Sequence, residues 1–204
     1  MDKSTLDFYA SDALNVALRY ESVSSPLALH FNIAFPKGGK ILDIGCGSGR
    51  DLAELSKQGF NVYGVDPVSE FVEIAQRFHP ELQGRISIGG LPDLSKPFGG
   101  KFDGVLCNSI LMHIEELLLL QSIFEIKASL KKDGRVLISV PTERADADHK
   151  GRDQYGRLFK NYPSIYLKSI FEDRGFILFQ EWTNNDTLNR TGIEWMTHLY
   201  QLIA

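Results

Sequence analysis

Three glycines at alternate positions, Gly45, Gly47 and Gly49, follow a short apolar run broken by a single acid, Ile41-Leu42-Asp43-Ile44. Behind them Leu52 and Leu55 fall at helical spacing, and Gly59 closes the segment. Glycine is needed where backbone turns sharply or approaches a ligand. Strand, glycine loop and helix in that order form a nucleotide cradle, with loop amides and a positive helix end turned to the ligand. Ser48 and Asp51 have capping-box spacing, so the helix is expected to start there. Asp66 ends a second strand-like run, Asn61-Val62-Tyr63-Gly64-Val65, 21 positions after Gly45. An acid about 20 positions beyond the loop is placed to accept from ribose hydroxyls. A dinucleotide site would read G-x-G-x-x-G; here the third glycine comes one place early, and Arg50 stands where it should be.

Other residues that could do chemistry are spread along the chain. Phe102 to Asn108 reads as a fourth strand, and Ser109 to His113 then crosses the carboxyl edge of the sheet, where open α/β folds bind ligands. His113 is the one histidine at that edge and a candidate general base. Cys46 and Cys107 give no disulfide framework; Cys107 reads as a small buried hydrophobe, and Cys46 as a loop packing residue. Residues 142–162 are polar, charged and punctuated by aromatics, a long stretch without regular structure of its own. There Arg152 and Arg157 could grip a carboxylate or phosphate with their planar forks, and Tyr155 could line the pocket and take part in chemistry. The stretch is expected to be a lid; the competing reading is a solvated loop whose arginines pair with Asp146, Asp148 and Asp153. That acidic group with His149 could also be read as a metal site, but it lacks a partner elsewhere, and no metal is expected.

The segment Ile41-Leu-Asp-Ile-Gly-Cys-Gly-Ser-Gly49 resembles the first motif of the class I S-adenosylmethionine-dependent methyltransferases. Val62-Tyr-Gly-Val-Asp66 resembles the acidic end of that family's second strand, and Gly134-Arg-Val-Leu-Ile-Ser-Val140 its fifth. The likeness spans roughly Lys40 to Pro141. It implies an enzyme that binds S-adenosylmethionine and its product S-adenosylhomocysteine. Gly45, Cys46, Gly47 and Gly49 would then form the loop, Asp66 and Pro67 the ribose end, and Asp43, Asn108 and Ser109 the environment of the methionine ammonium. The adenine loop of the family often carries an acid, but here the matching positions are Gly90 and Leu91, so backbone groups and the Leu91 face would hold the base. The residues before the first strand would fold over the cofactor, with Tyr9 and Tyr20 contacting substrate. Asn108-Ser-Ile-Leu is not the Asn/Asp-Pro-Pro-aromatic signature of base-amino methylation, and the Pro-Cys nucleophile of cytosine-carbon methylation is absent. A small-molecule acceptor is expected. The rival functions are a non-catalytic S-adenosylmethionine-binding module and an NAD-type oxidoreductase.

The elements that must position these groups follow from pattern. The chain has 204 residues, 43% hydrophobic and 24% charged, with a net charge of −4. That suits one globular domain over 1–204, with a helical cap at 1–38 and a Rossmann-like core at 39–204. Negative net charge disfavours a nucleic-acid partner. No run of 18 apolar residues marks a membrane span, and no basic-then-apolar leader is present, so the expected location is cytoplasmic. Helices are expected over the apolar positions Leu6 to Leu18, over Pro26 to Phe35, after Asp66, over Glu115 to Lys132 and over Ile165 to Asp173. Strands are expected at Arg85 to Gly89, Gly134 to Val140, where Pro141 ends the run, and Phe176 to Trp182. Ile193 to Ala204 fits either state; the family topology makes it an antiparallel last strand. The expected fold is α/β, a seven-stranded, mostly parallel sheet with helices on both faces. The pattern does not specify an oligomeric state.

Overall fold

The structure is a computed structural model, and it describes residues 1–203. Seven strands form one sheet in the order β3-β2-β1-β4-β5-β7-β6: β1 Lys40–Ile44, β2 Asn61–Asp66, β3 Ile86–Ile88, β4 Phe102–Asn108, β5 Leu130–Arg144, β6 Phe176–Asn185 and β7 Ile193–Leu202. Strands β1 to β5 pair in parallel, and β7 runs antiparallel between β5 and β6. The family-based choice of strand for the ambiguous C-terminal segment therefore matches the fold. The chain winds outward from β1 to β3 and then outward the other way from β4, so the order reverses between β1 and β4. A crevice opens at the carboxyl ends of strands beside such a reversal.

Period-two alternation sorts the core onto two faces. Ile41, Leu106, Leu137 and Leu199 point to one side, against α3 Phe31–Ala34, α4 Arg50–Lys57 and α5 Ser69–Phe78. Leu42, Val105, Val136, Ile138 and Tyr200 point to the other, against α6 Glu116–Ser129 and α7 Ser164–Glu172. A third apolar cluster joins α2 Ala13–Glu21 to α5 through Val16, Ala17, Phe71 and Ile74. This cluster brings the N-terminal helices to the glycine-loop end of the sheet.

Several boundaries differ from the pattern reading. The first helix is broken at Asp12 into α1 Lys3–Ser11 and α2, and α1 is capped by the Asp2 carboxylate accepting from the Thr5 amide. Only Phe31–Ala34 of the Pro26 to Phe35 segment is helical. Pro141 does not end β5. The strand runs on to Arg144 because β7 extends beside it, and the register shifts between Pro141 and Glu143, an irregularity that accommodates a residue without an N–H. The polar stretch therefore starts at 145.

Gly104 on β4 lies under Phe35, whose ring a Cβ at that position would strike. Overpacking of this kind typically costs about 1–3 kcal/mol. Gly104→Ala should lower the free energy of unfolding by that amount, seen as a lower urea midpoint, while leaving ligand affinity at the far end of the sheet unchanged, as read by denaturation and calorimetry.

Candidate active site

The glycine loop is built to meet the end of β2. The Gly45 and Cys46 amides both donate to the Val65 carbonyl, at 2.7 and 3.1 Å, and the Gly49 amide donates to the Cys46 carbonyl at 2.9 Å. The Gly47 amide donates to Asp66 Oδ2 at 2.9 Å, and the Val68 amide donates to Asp66 Oδ1 at 2.9 Å. Gly45 has φ +76°, and a Cβ there would collide with Ile110, so the tight turn excludes a side chain. Four loop amides thus face protein acceptors. The expected cradle, with these amides free for an anion, does not form. Ser48 is also not the helix cap: Gly49, at φ +88°, precedes α4 without a side-chain bond, and the Ser48 hydroxyl donates to Glu21 Oε1 at 2.6 Å. That bond, and a contact of 3.1 Å between Glu21 Oε1 and His79 Nε2, ties the end of α2 to the loop.

A cavity of about 810 Å³, part of it open to solvent, occupies the crevice. Asp43, Asp51 and Asp66 all line it and all are buried. Burial pushes the Asp43 carboxyl well above its usual range, and the charges of Asp51 and Asp66 push it further. Burial also raises Asp66 to about 6, against the two amides that favour its charge. Asp51 accepts from Arg50 Nε at 2.9 Å and from the Asn108 amide nitrogen at 2.7 Å. With Asp51 and Asp66 on its wall and its loop amides already committed, the cavity offers acceptors to a ligand that donates hydrogen bonds and has no free amides for a pyrophosphate.

The roof is made by α1 and α2, which contribute Tyr9, Val16 and Tyr20, and the stretch 145–163 packs behind α1 without bordering the cavity. His113, buried at the cavity wall, holds its Nδ1 at 2.6 Å from the Leu158 carbonyl and its Nε2 at 3.2 Å from the Tyr9 hydroxyl. A carbonyl only accepts, so the ring proton sits on Nδ1, and Nε2 accepts from Tyr9. Burial lowers His113 to about 4, so the ring is neutral near pH 7 with its basic nitrogen aimed at Tyr9. Of the residues singled out in the sequence, Tyr9, Tyr20, Asp43, Gly45, Cys46, Gly47, Asp66, Pro67, Asn108, Ser109 and His113 border the cavity.

Other candidates lie elsewhere. Leu91 is packed into the core, Gly90 bridges to Asp93 and sits against Pro67, and Gly49 turns toward α5; none of the three borders the cavity. Tyr155 is 58% exposed and packs on Phe8, outside the cavity, so it has no reach to reacting atoms. Arg152 pairs with Asp2 at 2.8 Å, and Arg157 is bidentate to Asp153 at 2.6 and 2.9 Å while lying over the rings of Phe8 and Phe159. Neither arginine lines the cavity. The stretch is not a loose lid: its arginines are spent on holding it to itself and to α1. The acidic group is likewise divided among local partners, with Asp146 on Arg144, Asp153 on Arg157 and Asp148 on backbone amides. No cluster able to hold a metal occurs among the described residues. Pattern reasoning missed Asp51 as a cavity residue, having read it only as a cap; its place one turn into α4 beside Arg50 was the available signal.

Removing one partner of a buried, well-bonded pair costs about 3 kcal/mol. Arg157→Ala should therefore reduce stability by roughly that amount and increase proteolysis within 145–163, and should not act through a specific loss of acceptor affinity; thermal melts and limited proteolysis check it.

Residues 19–181 match the family described as a methyltransferase domain. The chain is 35% identical over 108 residues to the mitochondrial ubiquinone biosynthesis O-methyltransferase of Bos taurus, a match covering 50% of this chain and 28% of that protein. It is 26% identical over 208 residues to the ubiquinone biosynthesis O-methyltransferase of Xanthomonas axonopodis pv. citri, covering 91% and 82%. The chain thus spans under a third of the length of the mammalian relatives it matches. The fold is shared with the 1,6-didemethyltoxoflavin-N1-methyltransferase of Burkholderia thailandensis, solved with 1,6-didemethyltoxoflavin and S-adenosylhomocysteine bound: TM-score 0.73 at 22% identity, covering 98% of this chain and 88% of that one.

Proposed function

Because the chain belongs to the methyltransferase-domain family, we propose that it is an S-adenosylmethionine-dependent methyltransferase acting on a small-molecule acceptor. The observation that carries this reading is the acidic cavity at the glycine loop, whose amides are engaged by Val65 and Asp66. It suits a sulfonium and an ammonium, and it does not suit the pyrophosphate of a nicotinamide dinucleotide. Asp66 would hold the ribose hydroxyls through its remaining lone pairs, with Pro67 beside it. Asp43, with Asn108 and Ser109, would face the methionine ammonium. When bound, the cofactor supplies an already activated methyl group. The chain's own task is to bind, align and exclude water.

Tyr9 and His113 are the pair suited to handle a proton. The Tyr9 oxygen can accept a hydrogen bond from an acceptor hydroxyl or amine while its own proton is directed at His113 Nε2, and the Leu158 carbonyl holds the ring in the required tautomer. Cover by α1 and α2, through Tyr9, Val16 and Tyr20, supports a small-molecule acceptor. The curated relatives named above are O-methyltransferases, which supports an oxygen acceptor. The negative net charge and the acidic cavity argue against nucleic acid, and no helix among the described residues is long and apolar enough to cross a membrane.

Calorimetry with S-adenosylhomocysteine, S-adenosylmethionine and NADH tests the assignment; NADH binding with none for the other two would overturn it. The pH dependence has a definite sign. Asp66 is raised from 3.8 to about 6, so the free protein gains stability as this group takes up its proton and loses it as pH rises through about 6. A ligand that donates to the carboxylate binds the ionised form. Affinity should therefore rise by about tenfold between pH 5 and pH 7 and then level off. His113→Ala and Tyr9→Phe should each lower kcat by about 100-fold with cofactor affinity nearly unchanged. A loss of only a few fold would leave them as wall residues.

A further inference from the structure

Thr5 lies on the buried side of α1 with none of its surface exposed, and it does not border the cavity. A hydroxyl in such a place has to be matched at both its proton and its oxygen. The proton goes to Asp2 Oδ2 at 2.9 Å, and Asp2 is itself held by the Arg152 guanidinium at 2.8 and 3.1 Å. With its proton spent, Thr5 Oγ1 can only accept, and it takes the Leu158 amide at 2.8 Å. The Leu158 carbonyl accepts from His113 Nδ1 at 2.6 Å. Both backbone groups of Leu158 therefore meet side chains far off in sequence, 153 and 45 positions away. Around them the stretch 145–163 is pinned by the Phe159 amide donating to the Gly151 carbonyl at 2.6 Å and the Lys160 amide donating to the Met112 carbonyl at 2.7 Å. Leu158 is thus the joint between a buried threonine that touches no ligand space and the histidine at the cavity wall.

We propose that Thr5 is a positioning residue for the Tyr9–His113 pair: it holds the Leu158 carbonyl against His113 Nδ1 and so fixes which ring nitrogen is basic. The inference rests on the proton-handling role given to that pair above. The step it serves moves the acceptor's proton to the Tyr9 oxygen and the Tyr9 proton to His113 Nε2, leaving a neutral tyrosine and an imidazolium. Without the Thr5 hydroxyl, the Leu158 amide becomes a buried donor with no acceptor, a state costly enough to move backbone. Leu158 then shifts toward another acceptor, and its carbonyl leaves Nδ1. The ring proton passes to Nε2 and points at the Tyr9 oxygen. The ring keeps the same charge in both forms, but in the second it offers Tyr9 no lone pair, and the proton of Tyr9 has nowhere to go.

The test is NMR of the histidine ring nitrogens on the full chain, read together with calorimetry for S-adenosylhomocysteine. His113 is assigned as the histidine missing from the His113→Ala spectrum. At pH 7 the wild-type ring should carry its proton on Nδ1 and leave Nε2 bare. In Thr5→Val, which keeps the shape and drops the hydroxyl, the Nδ1–H signal of His113 should be lost in favour of Nε2–H. Affinity for S-adenosylhomocysteine should stay within about threefold of the wild type, because Thr5 lies outside the cavity. Thr5→Ser should restore the Nδ1–H form. Retention of Nδ1–H in Thr5→Val overturns the proposal, and so does a wild-type ring protonated on Nε2, an outcome that needs no variant to fold. Affinity lost together with the tautomer means that α1 has moved as a whole, and it overturns positioning in favour of a role in the fold. A wild-type protein that binds no S-adenosylhomocysteine overturns the cofactor reading, and the His113 spectra still decide the role of Thr5.

Discussion

The Asp66 carboxylate joins two loops that would otherwise be independent. One oxygen takes the Gly47 amide from the turn after β1, and the other takes the Val68 amide from the turn after β2. Both turns must hold their shape for this to happen. The Val65 carbonyl reinforces the link by accepting from Gly45 and Cys46. The floor of the cavity is therefore a single hydrogen-bonded unit, with a carboxylate at its centre that stays near the surface of the ligand space. The cost of burying that carboxylate appears in its raised pKa, and a ligand with hydroxyl donors and positive charge relieves it. A floor of this kind offers a carboxylate acceptor and no free amides, although the glycine spacing by itself suggests an anion cradle.

The roof is held by a different set of forces. Asp2 caps α1 and also receives Arg152, the Thr5 hydroxyl accepts from the Leu158 amide at 2.8 Å, and Tyr9 meets His113. Arg157 lies between the rings of α1 and Phe159, with its charge answered by Asp153. The Asp2–Arg152, Thr5–Leu158 and Phe8–Arg157 contacts join the first turns of the chain to its last third, and Tyr9–His113 joins them to its middle. The His113 tautomer depends on the same arrangement, because the carbonyl that fixes it belongs to Leu158.

Much of this was legible in the sequence. Strong period-two and apolar runs place β1, β2, β4 and β5, and the distance from Gly45 to Asp66 places the acid at the end of β2. The cavity residues on those strands follow directly. Interactions that depend on geometry rather than spacing were not legible. Glycines at alternate positions require a tight turn, but nothing in their spacing says whether the amides point outward or back into Val65. Arg152 and Arg157 look like ligand-binding arginines in one dimension, and only the fold brings Asp2 to one of them. Pro141 looks like a stop because a lone strand would end there; β7, more than 50 residues later in the chain, carries it on.

The roof contacts also bear on the order in which the molecule is made. The Asp2–Arg152 pair spans 150 positions and the Thr5–Leu158 bond 153. The loops beneath, from β1 to the start of α5, close over about twenty residues and can form from local chain alone. Helix α1 meets α2, Phe71 and His113 from the middle of the chain, but its contacts with Arg152 and Leu158 wait until those residues are present, and long-range closures of this length are entropically slow. A chain stopped after β4 therefore carries the floor of the cavity and the packing of α1 on α2 and α5, but lacks the bonds that hold the far side of α1 in place. Fixing α1 over the binding chamber is therefore a later event than forming the floor beneath it.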